Sequence, residues 1–132
     1  MKYLLDTNIC IYIIKKKPEH VRKKFNSFPM GSIGISSITL SELEFGIHKS
    51  SMPDKNRLAL DEFILPLEIL NFDSHASRFY GKIRYVLESK GKPIGSLDTL
   101  IAAHALSRKL TLITNNIKEF KRVPALKIEN WV

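Results

Sequence analysis

Four short stretches carry side chains suited to chemistry. They are "KYLLDTNI" with Asp6, "SITLSELEFGIHKS" with Glu42, "GKPIGSLDTLIAAHALSRK" with Asp98, and "LTLITNNIKEF" with Asn115, Asn116 and Glu119. Each acid or amide follows an apolar run or heads a helix-like segment. If these groups converge, their carboxylates repel. Two charges 4 Å apart cost roughly 4 kcal/mol at an effective dielectric of 20. A divalent cation offsets that cost, and hard oxygen donors of this kind select Mg2+ or Mn2+. A metal in such a pocket lowers the pKa of a bound water and neutralises charge on a leaving oxygen. That is chemistry suited to phosphodiesters.

Each acid also has a plainer reading. Asp6 can cap a helix that starts at Thr7 by accepting a backbone N–H bond. Thr39-Leu40-Ser41-Glu42 fits a capping box, in which the Glu folds back on the helix start. Yet Ile38, Glu42 and Phe45 are spaced to share one helical face, which sets this acid in line with apolar neighbours. Ser96 is a candidate N-cap, and Asp98 in the first turn complements the helix dipole. Asp98, Ile101, Ala102 and Ala105 nonetheless form one face, with the carboxylate at its head. Asn115 and Asn116 suit a turn after a strand.

The elements that must position these groups alternate. Apolar runs at Tyr3–Leu5, Ile33–Ser36, Leu67–Leu70 and Leu110–Thr114 predict strands. Helical spacing or composition marks Asn8–Lys16, Glu19–Ser27, Ile38–Ser50, Asp54–Leu65, Ser74–Lys90 and Leu97–Lys109. Pro18, Pro53 and Pro66 stand at the breaks. Short continuous strands alternating with helices imply a parallel sheet covered on both faces. Ligands of such sheets bind beyond the carboxyl ends of the strands, and Asp6 stands at one.

The chain has 132 residues, the size of one domain spanning 1–132. No apolar stretch reaches the ~18 residues of a membrane span. Lys2 and a short apolar run before Asp6 do not make a signal peptide. The lone Cys10 excludes an internal disulfide framework and fits a reducing cytoplasm. A net charge of +8 favours a polyanionic partner such as nucleic acid. Lys15, Lys16, Lys17, Arg22, Lys23 and Lys24 form one basic cluster, and Arg78, Lys82, Arg84, Lys90 and Lys92 a second. Either can be a solvated face or a phosphate contact. Phe79, Tyr80 and Tyr85 read as core or dimer contacts. His20, His48, His75 and His104 are too dispersed for a zinc pattern. Gly91 and Gly95 shape a loop, but no Gly-Lys-Ser/Thr follows to make it a phosphate-binding loop.

Taken together and in this order, "LLDTNI", "SSITLSELEFG", "GKPIGSLDTLIAAHA" and "LITNNIKEF" resemble the PIN domain, and more closely the VapC toxins of bacterial VapBC toxin–antitoxin pairs. The resemblance runs from Lys2 to Trp131. It implies a three-layer α/β/α sandwich with a mainly parallel sheet, and Mg2+- or Mn2+-dependent endoribonuclease activity. It assigns Asp6, Glu42 and Asp98 as catalytic metal ligands. Asn116 aligns with a fourth acidic position, and as a neutral ligand it weakens any second metal site. Thr7 and Thr114 resemble residues that orient the ligands. The resemblance further implies structured RNA as substrate, tRNA first and the initiator tRNA anticodon stem-loop among the options. It implies a homodimer in the cytoplasm and a VapB-type antitoxin, through which alone operator DNA is contacted. Two rivals stand beside it. An aspartyl phosphatase expects a second acid two residues after Asp6, where this chain has Asn8. A non-catalytic RNA-binding or interaction module with the same fold draws support from Asn116.

Overall fold

Tyr3–Leu5 forms β1, and all three of its side chains are buried. A strand with no exposed face must be covered on both sides, and its position explains this. In the computed structural model, which describes residues 1–132, β1 is the centre of a five-stranded sheet. Its neighbours are β2 (Ile33–Ser36), β3 (Glu68–Leu70), β4 (Thr111–Ile113) and β5 (Ile128–Glu129), in the order β3-β2-β1-β4-β5. Every pairing is parallel. All carboxyl ends therefore lie along one edge.

Helices link the strands: α1 (Thr7–Lys15), α2 (Glu19–Asn26), α3 (Ser37–Lys49), α4 (Pro53–Ile64), α5 (Ser74–Ser89), α6 (Ser96–Ser107) and α7 (Ile117–Phe120). The period-2 alternation of β1 divides the core. Tyr3 and Leu5 pack with Ile9 and Ile13 of α1, Leu43 and Ile47 of α3, and Leu60 and Phe63 of α4. Leu4, on the opposite face, packs with Ile83 and Leu87 of α5 and Ile101, Ala102 and Ala105 of α6. The alanines of α6 leave room for close approach to the sheet. The result is the expected three-layer α/β/α sandwich. No helix is long and apolar enough to cross a membrane.

The boundaries of the expected elements all fall within two residues of those observed; the caps and one helix face differ. Helix α3 starts at Ser37, because the Ser36 hydroxyl accepts the Ile38 N–H at 3.1 Å. Thr39 and Glu42 therefore lie inside the helix, and the capping box is not formed. Gly95, not Ser96, is the N-cap of α6, and it provides no side-chain bond. Phe45 is 59% exposed. The buried residues of α3 are Thr39, Leu43 and Ile47, so the face carrying Glu42 runs outward from the core. Two elements were not expected, α7 and β5. They contain four and two residues, too few to show a period.

Candidate active site

Register brings the first site residues together. Leu5 pairs with Ile113, so the next residues, Asp6 and Thr114, emerge side by side at the carboxyl edge. The Asp6 N–H donates to the Ile113 carbonyl at 2.9 Å. Asp6 is buried and uses both carboxylate oxygens. Oδ1 accepts the Thr7 N–H at 2.8 Å, and Oδ2 accepts the Thr114 hydroxyl at 2.8 Å. The first bond is the helix cap expected of Asp6, and the second leaves the same carboxylate tied to the end of β4. Burial raises the Asp6 pKa above the ordinary carboxylate value, while the bonds from Thr114 and Thr7 pull it down.

The chain continues the network after β4. The Thr114 oxygen accepts the Asn116 N–H at 2.9 Å, and Asn116 Nδ2 donates to Asp98 Oδ2 at 3.4 Å. Helix α6 delivers Asp98 in its first turn. The Asp98 carboxyl is pushed up to about 6, first by burial, then by the charges of Asp6 and Glu119, and by a hydrogen bond with Glu119. Glu119, the last donor of the "LTLITNNIKEF" stretch, is carried by the short turn of α7 three residues after Asn116, against Asp98.

Glu42 differs from the rest. It is half-buried on α3, makes no hydrogen bond or ion pair, and is not among the charges acting on Asp6 or Asp98. No three His, Cys, Asp or Glu side chains stand as a closed ligand set. The structure thus joins Asp6, Asp98, Asn116 and Glu119, with Glu42 outside those contacts. What links the helix of Glu42 to that of Asp98 is a buried pair missed in the sequence. His104 Nδ1 of α6 lies 2.7 Å from Ser36 Oγ, the N-cap of α3. The His104 ring is edge-on to Phe72 at 5.4 Å, and burial pushes its pKa below the ordinary value. A lone histidine in a helix carries no sequence signal of such a partner.

The donor set fits a hard divalent cation. Asp98 is crowded by like charge, and no lysine or arginine forms an ion pair with any of these acids. Cys10 is no rival nucleophile. It is buried, and burial together with the Asp6 charge pushes its thiol well above the ordinary range. The Lys15–Lys24 cluster is also removed from the site. Helix α1 starts beside Asp6 and runs away from the carboxyl edge for nine residues, about 13 Å at 1.5 Å per residue.

This sandwich, with carboxylates gathered at the carboxyl edge, is that of a PIN-domain protein, and the PIN domain family model matches residues 3–126. The chain is 47% identical over 131 residues to the tRNA(fMet)-specific endonuclease VapC of Salmonella typhimurium, covering 99% of this chain and 98% of the relative. It is also 47% identical over 132 residues to ribonuclease VapC2 of Rickettsia felis, with 99% and 98% covered. Among solved structures, VapBC2 of Rickettsia felis bound to a DNA fragment from its promoter superposes with a TM-score of 0.94 at 46% identity, covering 100% of both chains. The DNA-bound VapBC of Salmonella typhimurium also gives 0.94, at 47% identity, covering 100% of this chain and 99% of the other. The chain belongs to the VapC group of the PIN-domain family.

Proposed function

We propose that the protein is a divalent-metal-dependent endoribonuclease, the toxin of a toxin–antitoxin pair, with tRNA as its substrate. The observation that carries this reading is the crowding of Asp98 against Asp6 and Glu119 at the carboxyl edge, with a pKa raised to about 6. Such an arrangement is costly unless a cation offsets it. Asp6 and Asp98 would hold Mg2+ or Mn2+, with Asn116 and Glu119 beside them; Glu42, which lies outside their contacts, would complete the set from α3. Bound there, the metal would supply a water of lowered pKa and neutralise the leaving oxygen. The chain's own residues set the geometry. Thr114 fixes the Asp6 carboxylate through Oδ2, the Thr7 N–H fixes Oδ1, and Asn116 holds one oxygen of Asp98. Burial of Asp6 and Thr114 keeps bulk water from screening the contact between them.

The Salmonella relative is named for tRNA(fMet), which makes initiator tRNA the first substrate to test and inhibition of translation the consequence. The related VapBC structures support a VapB-type antitoxin as partner, with operator DNA reached through it. A homodimer and a cytoplasmic location complete the reading. The test is incubation of purified protein with initiator tRNA and Mg2+ or Mn2+. Cleavage is expected, lost in Asp6→Asn and on chelation. Intact tRNA with both ions would overturn the reading. It would favour a non-catalytic RNA-binding module, to which Asn116 and the separate position of Glu42 lend support.

A further inference from the structure

The carboxyl edge carries a second charged feature. A hollow of about 400 Å³ is lined by Gly91, Lys92, Pro93, Lys118, Lys121 and Arg122, four of the six being cationic. None of the four is in an ion pair; the chain's ion pairs are Lys23–Glu19, Arg57–Glu44, Arg57–Asp61 and Arg84–Glu88. Arg122 Nη1 donates to the Pro93 carbonyl at 3.1 Å. That bond ties the loop leading into Asp98 to the turn carrying Glu119.

The spacing is regular. The Lys121 N–H bonds to the Ile117 carbonyl and the Arg122 N–H to the Glu119 carbonyl, each at 3.0 Å, so one compact turn continues past α7. Lys118, Lys121 and Arg122 stand at i, i+3 and i+4 and share a face. Glu119, on the adjoining face, meets Asp98. The cations thus stand on the same loop and turn that deliver Asp98 and Glu119. Gathering like cations is unfavourable unless an anion offsets it. Lysines are point charges suited to phosphate oxygens without regard to base.

We propose that Lys92, Lys118 and Lys121, braced by the Arg122–Pro93 bond, form a cradle for the RNA backbone beside the acidic site. The inference rests on the ribonuclease reading for the identity of the polyanion. It assigns the binding role to this hollow and not to the Lys15–Lys24 cluster, where Lys23 is paired with Glu19 and Lys24 lies over the Phe28 ring.

The test measures binding of unfractionated tRNA to the full chain in EDTA across a salt series. Each phosphate-contacting lysine contributes about one to the slope of log K against log salt. Lys118→Gln/Lys121→Gln should therefore lower the slope by about two, and Lys92→Gln by about one. Lys92 lies on a separate loop, so its variant keeps the test decisive if the α7 turn is disturbed. Lys15→Gln/Lys16→Gln should leave the slope unchanged. A parental slope in the cradle variants, or an equal loss in the Lys15/Lys16 variant, overturns the proposal. The two readings fail separately. Wild-type protein that binds through these lysines but leaves tRNA whole with Mn2+ sinks the nuclease reading and keeps the cradle. Protein that cleaves tRNA while its cradle variants bind like the parent does the reverse.

Discussion

The Thr114 hydroxyl donates to Asp6 Oδ2 at 2.8 Å across 108 residues of sequence. It joins the carboxyl ends of two neighbouring strands, and the same oxygen accepts the Asn116 N–H at 2.9 Å. One fully buried threonine therefore orients the Asp6 carboxylate and anchors the loop that brings Asn116 to Asp98. Backbone register between β1 and β4 becomes site geometry through this one side chain.

Thr114→Val keeps the shape of this residue and deletes the hydroxyl. It leaves the Asn116 N–H without its acceptor and removes a bond that lowers the Asp6 pKa. Stability should fall by about 1–3 kcal/mol, as expected when the buried Asp6 Oδ2 loses its donor. With the bond lost, the Asp6 pKa rises, so the acid limb of the pH–rate profile should move to higher pH. Thr114→Ser, which retains the hydroxyl, should restore both. Denaturant melts and a pH series of RNA cleavage check this. A valine variant with the parental acid limb would remove Thr114 from the site.

Asp98 gives a stability prediction with an unusual sign. Its folded pKa of about 6 lies above the ordinary 3.8. Between those values the folded state holds more protons than the unfolded state, so this group's contribution declines as pH rises from about 4 to about 6. In chelator, Asp98→Asn should be more stable than the parent at pH 8, by about 1 kcal/mol once partial exposure and screening are discounted. The gap should close near pH 4, where the parental carboxyl is protonated. Thermal melts at the two pH values decide it; equal stability throughout would mean that Asp98 is not crowded.

The sandwich was legible because its strands are short, apolar and buried on both faces, as Tyr3–Leu5 illustrates. Asp6 and Asp98 were legible because each stands where a strand ends or a helix begins. Glu119 was less so, since its role depends on a four-residue turn too short to carry a pattern. The Ser36–His104 pair was invisible for a different reason. Its partners are 68 residues apart, and neither spacing nor composition links a strand-end serine to a late-helix histidine. Phe45 misled because helical spacing groups residues on a face without saying whether that face turns inward.

The Ser36–His104 pair predicts acid sensitivity. His104 is almost fully buried, with Nε2 lacking any partner, and burial holds its pKa below 6.5. The unfolded chain takes up the proton first as pH falls. Stability is therefore full above the unfolded value and declines through and below it, with a slope of at most about 1.4 kcal/mol per pH unit for one proton. His104→Gln removes this titration. The parent should lose stability relative to this variant between pH 7 and pH 5, measured by urea melts. Parallel curves would place a compensating charge beside the ring.

Asn116→Asp tests the metal reading most directly. Asn116 now donates to Asp98 Oδ2 at 3.4 Å. An aspartate there replaces a favourable amide contact with a carboxylate facing a carboxylate already pushed up to about 6 by Asp6 and Glu119. Without divalent ions the variant should melt at lower temperature than the parent, and the Asp98 pKa should rise further. With Mn2+ the order should reverse. An added charged oxygen strengthens a hard-cation site, by about tenfold in Kd if it contributes about 1.4 kcal/mol. A ligand that binds only the folded state raises the melting temperature, by an amount that grows with the logarithm of that affinity. Calorimetric titration and paired melts in EDTA and Mn2+ separate the two effects. A variant destabilised equally in both conditions would show that Asn116 supports Asp98 but does not face the cation.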